Sequence, residues 1–168
     1  MGRAFFALDV CAPLMLTSRA TVAMTKGGSI VNISSAMAAA CQPGTALYAA
    51  SKGAIDAATR SLAAELCATN ARVNGVRPGL TRTGATAYTY QDSTLLDACH
   101  RSVPLGWTGE ADEVARLTTF LLSPTASFST GRSRASHPPP SHRGHRSACI
   151  TLAPEVELWL TDNGAEGE

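Results

Sequence analysis

The sequence predicts an α/β domain built on a parallel sheet, and three observations carry that expectation. Ser29 to Ser34 (SIVNIS) and Arg72 to Val76 are short runs of small and β-branched residues bounded by glycine or proline, as buried parallel strands require. Around them lie segments whose apolar residues recur every three or four positions, which is the period of a helix. The resulting order of helix, strand, helix, strand, helix is what a parallel sheet covered by helices produces.

Phe5, Leu8, Ala12, Met15 and Leu16 set the period of a first helix, from Ala4 to about Met24. Pro13 should interrupt or kink it, because proline has no N–H to give the preceding turn. Lys26, Gly27 and Gly28 close that helix ahead of the first strand. After the loop AMAAACQPGT, the run from about Ala46 to Cys67 places Leu47, Ala50, Ala54, Ala58, Leu62 and Leu66 at helical spacing. Its alanines permit close approach of another helix, either within the chain or from a second copy. The second strand, Arg72 to Val76, stops at Pro78 and Gly79. Leu80 to Pro104 is polar and broken, with a short helix expected near Asp92 to His100; connections of this length are often functional. A last helix follows Thr108 through GEADEVARLTTFLLS, with acidic residues in its first turn.

The 168 residues are 45% hydrophobic and 16% charged, with a net charge of +1, the balance of one soluble globular domain. A nearly neutral chain has no broad field for DNA, RNA or an anionic membrane, so a small molecule held in a local pocket is the expected partner. Five scattered cysteines, Cys11, Cys41, Cys67, Cys99 and Cys149, form no CxxC pair, which points to a reducing compartment such as the cytoplasm. Arg3 and Asp9 divide the apolar N-terminus, so neither a signal peptide nor a membrane span is read there. His137, His142 and His145 lie in a Pro- and Arg-rich stretch with no thiolate or carboxylate at ligand spacing, so no metal site is read.

Tyr48 and Lys52 are four residues apart on the second helix and therefore share a face. An ammonium close to a phenol stabilises the phenolate, which suits Tyr48 to acid/base work. Ser35 follows the first strand at its carboxyl end, where open α/β sheets present groups to ligands. A Tyr and a Lys at this spacing alone are weak evidence. Together, GGSIVNISS, YAASK and RVNGVRPGLTRT, with Ser35 thirteen positions before Tyr48, resemble the short-chain dehydrogenase/reductase family.

The resemblance implies an incomplete Rossmann-like, doubly wound parallel sheet, the C-terminal part of that fold. It also implies hydride transfer between NAD or NADP and an alcohol or carbonyl substrate. In that reading Tyr48 is the proton donor and acceptor, Ser35 orients the substrate oxygen, and Lys52 supports Tyr48 while binding the nicotinamide ribose. Pro78, Gly79 and Thr83 resemble the loop beside the nicotinamide, and about Gly84 to Val103 the family's variable substrate loop. A homo-oligomer through the helix at about 46–68 is a further expectation. Asp9 falls where the family often has an Asn serving a proton relay to the Lys; a solvated or capping Asp is the simpler reading.

Two departures shape the domain reading. The family's opening strand and TGxxxGxG turn, whose helix N-terminus meets the pyrophosphate, have no counterpart in this sequence. Residues 1–131 are therefore expected to be a partial catalytic domain. After Gly131 the composition changes abruptly, as a shifted reading frame or an alternative exon would produce. Residues 132–168 are read as an atypical, disordered tail, and RSRASHPPP is not expected to form the family's last strand because prolines remove ladder donors. Some hydrophobicity returns between Ala148 and Leu160. The enzyme reading thus stands beside an alternative, a non-catalytic fragment with an unpaired sheet edge that binds a partner subunit or has no independent activity.

Overall fold

Three strands pair in parallel: β1 (Gly28–Ile33), β2 (Ala71–Arg77) and β5 (Ser133–Ala135), in the order β1-β2-β5. The structure, a computed structural model, describes residues 2–40, 42–103 and 105–135. The expectations for residues 136–168, including the disordered tail, its histidines and the apolar stretch to Leu160, lie outside the described residues.

β2 is central and alternates its side chains between two helical layers. Val76 meets α6 (Ala111–Leu122) through fully buried Leu121, with Ala126 closing the cluster and Val31 of β1 packed against it. On the opposite face Arg77 reaches Asp56 of α3 (Ala46–Leu66), and Asn32 of β1 donates to the Thr59 hydroxyl at 2.9 Å. Helices on both faces of a parallel sheet make this a partial doubly wound α/β fold, as the sequence predicts.

Polar side chains tie the layers where the core is thin. Arg72 donates to the carbonyls of Leu121, Ser123 and Ser129, placing a cation on the C-terminal end of α6 where the helix dipole is negative. Fully buried Asn74 donates to the Ser129 carbonyl at 2.7 Å. The end of α3 is set by Asn70, which takes the left-handed conformation (φ 57°) after a 3₁₀ turn. Its carbonyl lies where a Cβ on Gly27 would stand, at 2.7 Å, and Gly27 itself has φ 86°; only glycine fits there.

The N-terminal helix is continuous from Gly2 to Ala23 but changes pitch. Between α1 (Gly2–Phe6) and α2 (Ala12–Ala23), residues Ala7–Cys11 form a π turn, and the Ala12 N–H reaches back to the Ala7 carbonyl. The interruption expected at Pro13 thus appears just before it, where a missing donor favours a widened turn. In length and composition this helix matches a membrane span, as core helices and signal sequences of soluble proteins also do. It packs beside α3 and carries Asp9 into an ion pair with Lys52.

The broken stretch after β2 is an excursion closed at its base. β3 (Thr81–Arg82) pairs in parallel with β4 (Gly109–Glu110), and between them lie α4 (Ala87–Gln91) and α5 (Ser93–Ser102). Asp92 caps α5 by accepting from the Leu95 N–H, so the expected short helix is present and ends two residues later. Arg82 pairs with Glu110 at 3.1 Å and stacks 4.3 Å from the Tyr90 ring centroid, while Tyr90 donates to Thr108 at 2.9 Å.

One sequence expectation needs correcting. Ser133–Ala135 does form a strand, pairing Gly75 with Ser133 and Arg77 with Ala135. The three prolines begin at 138, beyond this pairing, so the ladder donors of β5 are intact. β5 fits because Gly75 lacks a Cβ; one added there would stand 2.5 Å from Ser133 Oγ and 3.2 Å from its Cα. Gly75→Ala should therefore push β5 off the sheet, read as faster amide exchange at the Gly75 N–H, which donates to Arg132. Leu121→Ala, by contrast, should lower the urea unfolding free energy by about 3 kcal/mol through loss of buried side-chain volume.

Candidate active site

The two strands that carry the site residues are joined beyond their formal ends. The Ser34 N–H donates to the Val76 carbonyl at 2.7 Å and the Ala36 N–H to the Pro78 carbonyl at 2.9 Å. The turn after β1 and the turn after β2 therefore lie side by side at the carboxyl edge of the sheet. Such edges are where open α/β sheets place ligands.

Ser35 is buried at the start of the 3₁₀ turn Ala36–Ala38, and its Oγ accepts from the Met37 N–H at 3.2 Å. This cap fixes the hydroxyl oxygen while leaving its proton free of any partner among the described residues. Ser34 Oγ donates to the Lys52 carbonyl at 3.0 Å, docking the end of β1 onto the turn of α3 that holds Tyr48 and Lys52. Tyr48 is half-buried, its ring edge-to-face with Phe5 at 6.0 Å and 65°, and its hydroxyl has no hydrogen-bond partner among the described residues. The Lys52 ammonium stands 5.7 Å from the Tyr48 ring centroid. Ser35, Tyr48 and Lys52 thus belong to one region built by β1 and α3.

Pro78 joins that region through its carbonyl bond to Ala36, and the Gly79 carbonyl accepts from Thr81 Oγ1 at 3.0 Å. The Thr83 and Thr86 side chains form a reciprocal cap on the short turn Gly84–Thr86, in which Thr83 Oγ1 accepts from the Thr86 N–H and Thr86 Oγ1 from the Thr83 N–H.

The simpler reading of Asp9, as solvated or capping, is corrected by the structure. Asp9 Oδ1 pairs with Lys52 Nζ at 3.1 Å, with the two side chains 14% and 12% exposed, and Oδ2 accepts from Ser51 Oγ at 2.9 Å. Sequence spacing did not single out Ser51, although it stands beside Lys52 inside YAASK. Its hydroxyl also donates to the Tyr48 carbonyl at 2.8 Å. A cleft of about 390 Å³ opens beside this pair, between α2 and the edge of β1 that has no strand partner among the described residues, lined by Leu8, Leu16, Ile30, Ile33, Asp9 and Lys52.

A second buried acid lies one turn further along α3. Asp56 accepts from Arg77 Nε at 2.6 Å through Oδ2, and its Oδ1 has no partner among the described residues. This pair fastens the end of β2 to α3 rather than facing the cleft. Among the described residues, Cys11 and Cys67 are exposed free thiols, and burial pushes the Cys99 thiol up.

A family profile described as enoyl-(acyl carrier protein) reductase matches residues 3–135. A tropinone reductase homolog of Arabidopsis thaliana is 39% identical over 129 residues, 77% of this chain and 45% of that protein. Carbonyl reductase family member 4 of Danio rerio is 42% identical over 110 residues, 64% of this chain and 44% of that protein. Among solved structures, a short-chain type dehydrogenase/reductase from Mycobacterium ulcerans superposes with a TM-score of 0.75 at 34% identity, covering 80% of this chain and 50% of that one. A gluconate 5-dehydrogenase from Burkholderia cenocepacia, solved with NADP and tartrate, gives 0.77 at 25% identity over 80% and 53%. The chain belongs to the short-chain dehydrogenase/reductase family of oxidoreductases. It spans about half the length of the curated relatives it matches.

Arg77→Ala should leave the Asp56 carboxylate buried without its cation and cost about 3 kcal/mol in urea unfolding. Arg77→Lys should recover part of that loss.

Proposed function

We propose that this chain carries the proton-transfer half of an NAD- or NADP-dependent reaction that interconverts an alcohol and a carbonyl. The observation that carries the reading is the clustering of Ser35, Tyr48 and Lys52 at the carboxyl edge of a parallel sheet, where the Ser35 and Tyr48 hydroxyls donate to no partner among the described residues.

The residues present suit a nicotinamide nucleotide at Lys52. Lys52 Nζ spends two of its three donors on Asp9 and the Ile33 carbonyl, which leaves one for a ribose hydroxyl. When bound, the nicotinamide supplies or takes the hydride at the substrate carbon. In the reducing direction Tyr48 Oη gives its proton to the carbonyl oxygen, and in the oxidising direction it takes the proton of the alcohol. The Ser35 hydroxyl donates to that same oxygen, so negative charge developing there meets a donor already held in place by the Met37 cap. Lys52 stabilises the phenolate that Tyr48 becomes.

Tyr48→Phe keeps the ring packing against Phe5 and removes only the hydroxyl. It should reduce carbonyl-dependent NAD(P)H oxidation by at least about a thousandfold, within the range a general acid contributes; retention of most activity would refute the assignment of Tyr48. Titration with NADH and NADPH, followed by nicotinamide fluorescence, separates this reading from that of a non-catalytic fragment. Saturable binding supports the enzyme, and none at millimolar cofactor supports the fragment.

A further inference from the structure

Lys52 is engaged on two sides before any ligand arrives. Its bond to Asp9 Oδ1 is 3.1 Å and its bond to the Ile33 carbonyl 3.3 Å. Asp9 is itself held, because its other oxygen accepts from Ser51 Oγ and Ser51 is fully buried. The carboxylate is thereby fixed at both oxygens and has little freedom to swing away. It also sits within the π turn Ala7–Cys11, the one place where the N-terminal helix widens, and such turns often mark functional positions. β1 brings no charged side chain to this spot, and Arg3 of α1 is exposed. Asp9 is therefore the counter-charge that Lys52 meets directly.

We propose that Asp9 is a positioning residue for Lys52, drawing the ammonium toward the π turn and limiting it to one hydrogen bond with an incoming hydroxyl. A neutral amide of the same shape would accept from Lys52 through one oxygen, without the charge that strengthens the bond. A vicinal diol that needs two donors from Lys52 must displace the carboxylate or the Ile33 carbonyl. The consequence for a ribose rests on the hydride-transfer reading above; the grip of Asp9 on Lys52 does not.

The chain contains two lysines, Lys26 and Lys52, and Lys26 is exposed, which provides an internal reference. The full chain is treated with an N-hydroxysuccinimide acetate at fixed pH, and the acetylation rate of each lysine is followed by peptide mass spectrometry. A nitrogen that donates to a carboxylate must leave it before attacking the ester. Lys52 should therefore react at least about tenfold more slowly than Lys26. Asp9→Asn should raise the Lys52 rate by about tenfold and leave Lys26 unchanged, and Asp9→Glu should restore most of the protection. Equal Lys52 rates in wild type and in folded Asp9→Asn overturn the proposal. Should Asp9→Asn fail to fold, a wild-type Lys52 as reactive as Lys26 overturns it and continued protection in Asp9→Glu upholds it. Absence of nicotinamide binding alongside deprotection of Lys52 in Asp9→Asn would remove the catalytic reading and leave the role of Asp9 standing.

Discussion

The parallel pairing of β1 with β2 is the constraint on which the rest of the structure depends. Its register runs from Gly28 opposite Ala71 to Ile33 opposite Val76, and two more backbone bonds carry it on to Ala36 and Pro78. Parallel strands must both leave the sheet at the same edge, so the turns that follow them are neighbours by geometry. Ser35 and Pro78 are brought together by backbone alone, and α3, which connects the two strands, supplies Tyr48 and Lys52 from above. A slip of one residue in this register would turn Ser35 to the other face of the sheet.

The elements most legible in the sequence were those with a strong local signature. The alanine-rich period of α3, the β-branched run of β1 and the acidic opening of α6 all form within a residue or two of their expected bounds. The motif residues were legible because their chemistry is concentrated in YAASK and the end of SIVNIS. For Asp9 the resemblance pointed toward Lys52 but could not show a direct ion pair or the bond to Ser51, partners that lie more than forty positions away. The capping box between Thr83 and Thr86 is a local feature that the motif PGLTRT alone does not show, since its second member lies beyond the motif. The mini-sheet β3–β4 carries only two residues per strand, too few for any periodicity to appear.

Much of the architecture is held by hydrogen bonds from side chain to backbone rather than by large apolar groups. Among the fully buried side chains Ile55, Leu121, Val73 and Val76 are the apolar members, alongside Asn74, Thr59 and Ser51. A core of small and polar side chains gains less from water exclusion, and each polar member must be satisfied to avoid a desolvation cost. Arg72, Asn74 and Asn32 meet that condition by bridging different layers, so the same bonds that satisfy them also fix the layer spacing. β5 meets it less well, because Ser133 Oγ and Arg134 Nε are buried without partners among the described residues.

That contrast gives Gly75 a meaning beyond its fit. The steric requirement for a third strand is stored in β2, as an absent methyl group, and the strand that docks there is gripped through its main chain. Main-chain pairing asks of the incoming strand that it keep its N–H groups, which Ser133, Arg134 and Ala135 do and a proline would not. The closest fit lies between position 75 and Ser133, so the slot for the third strand is a gap left by β2 and filled by a short side chain of β5.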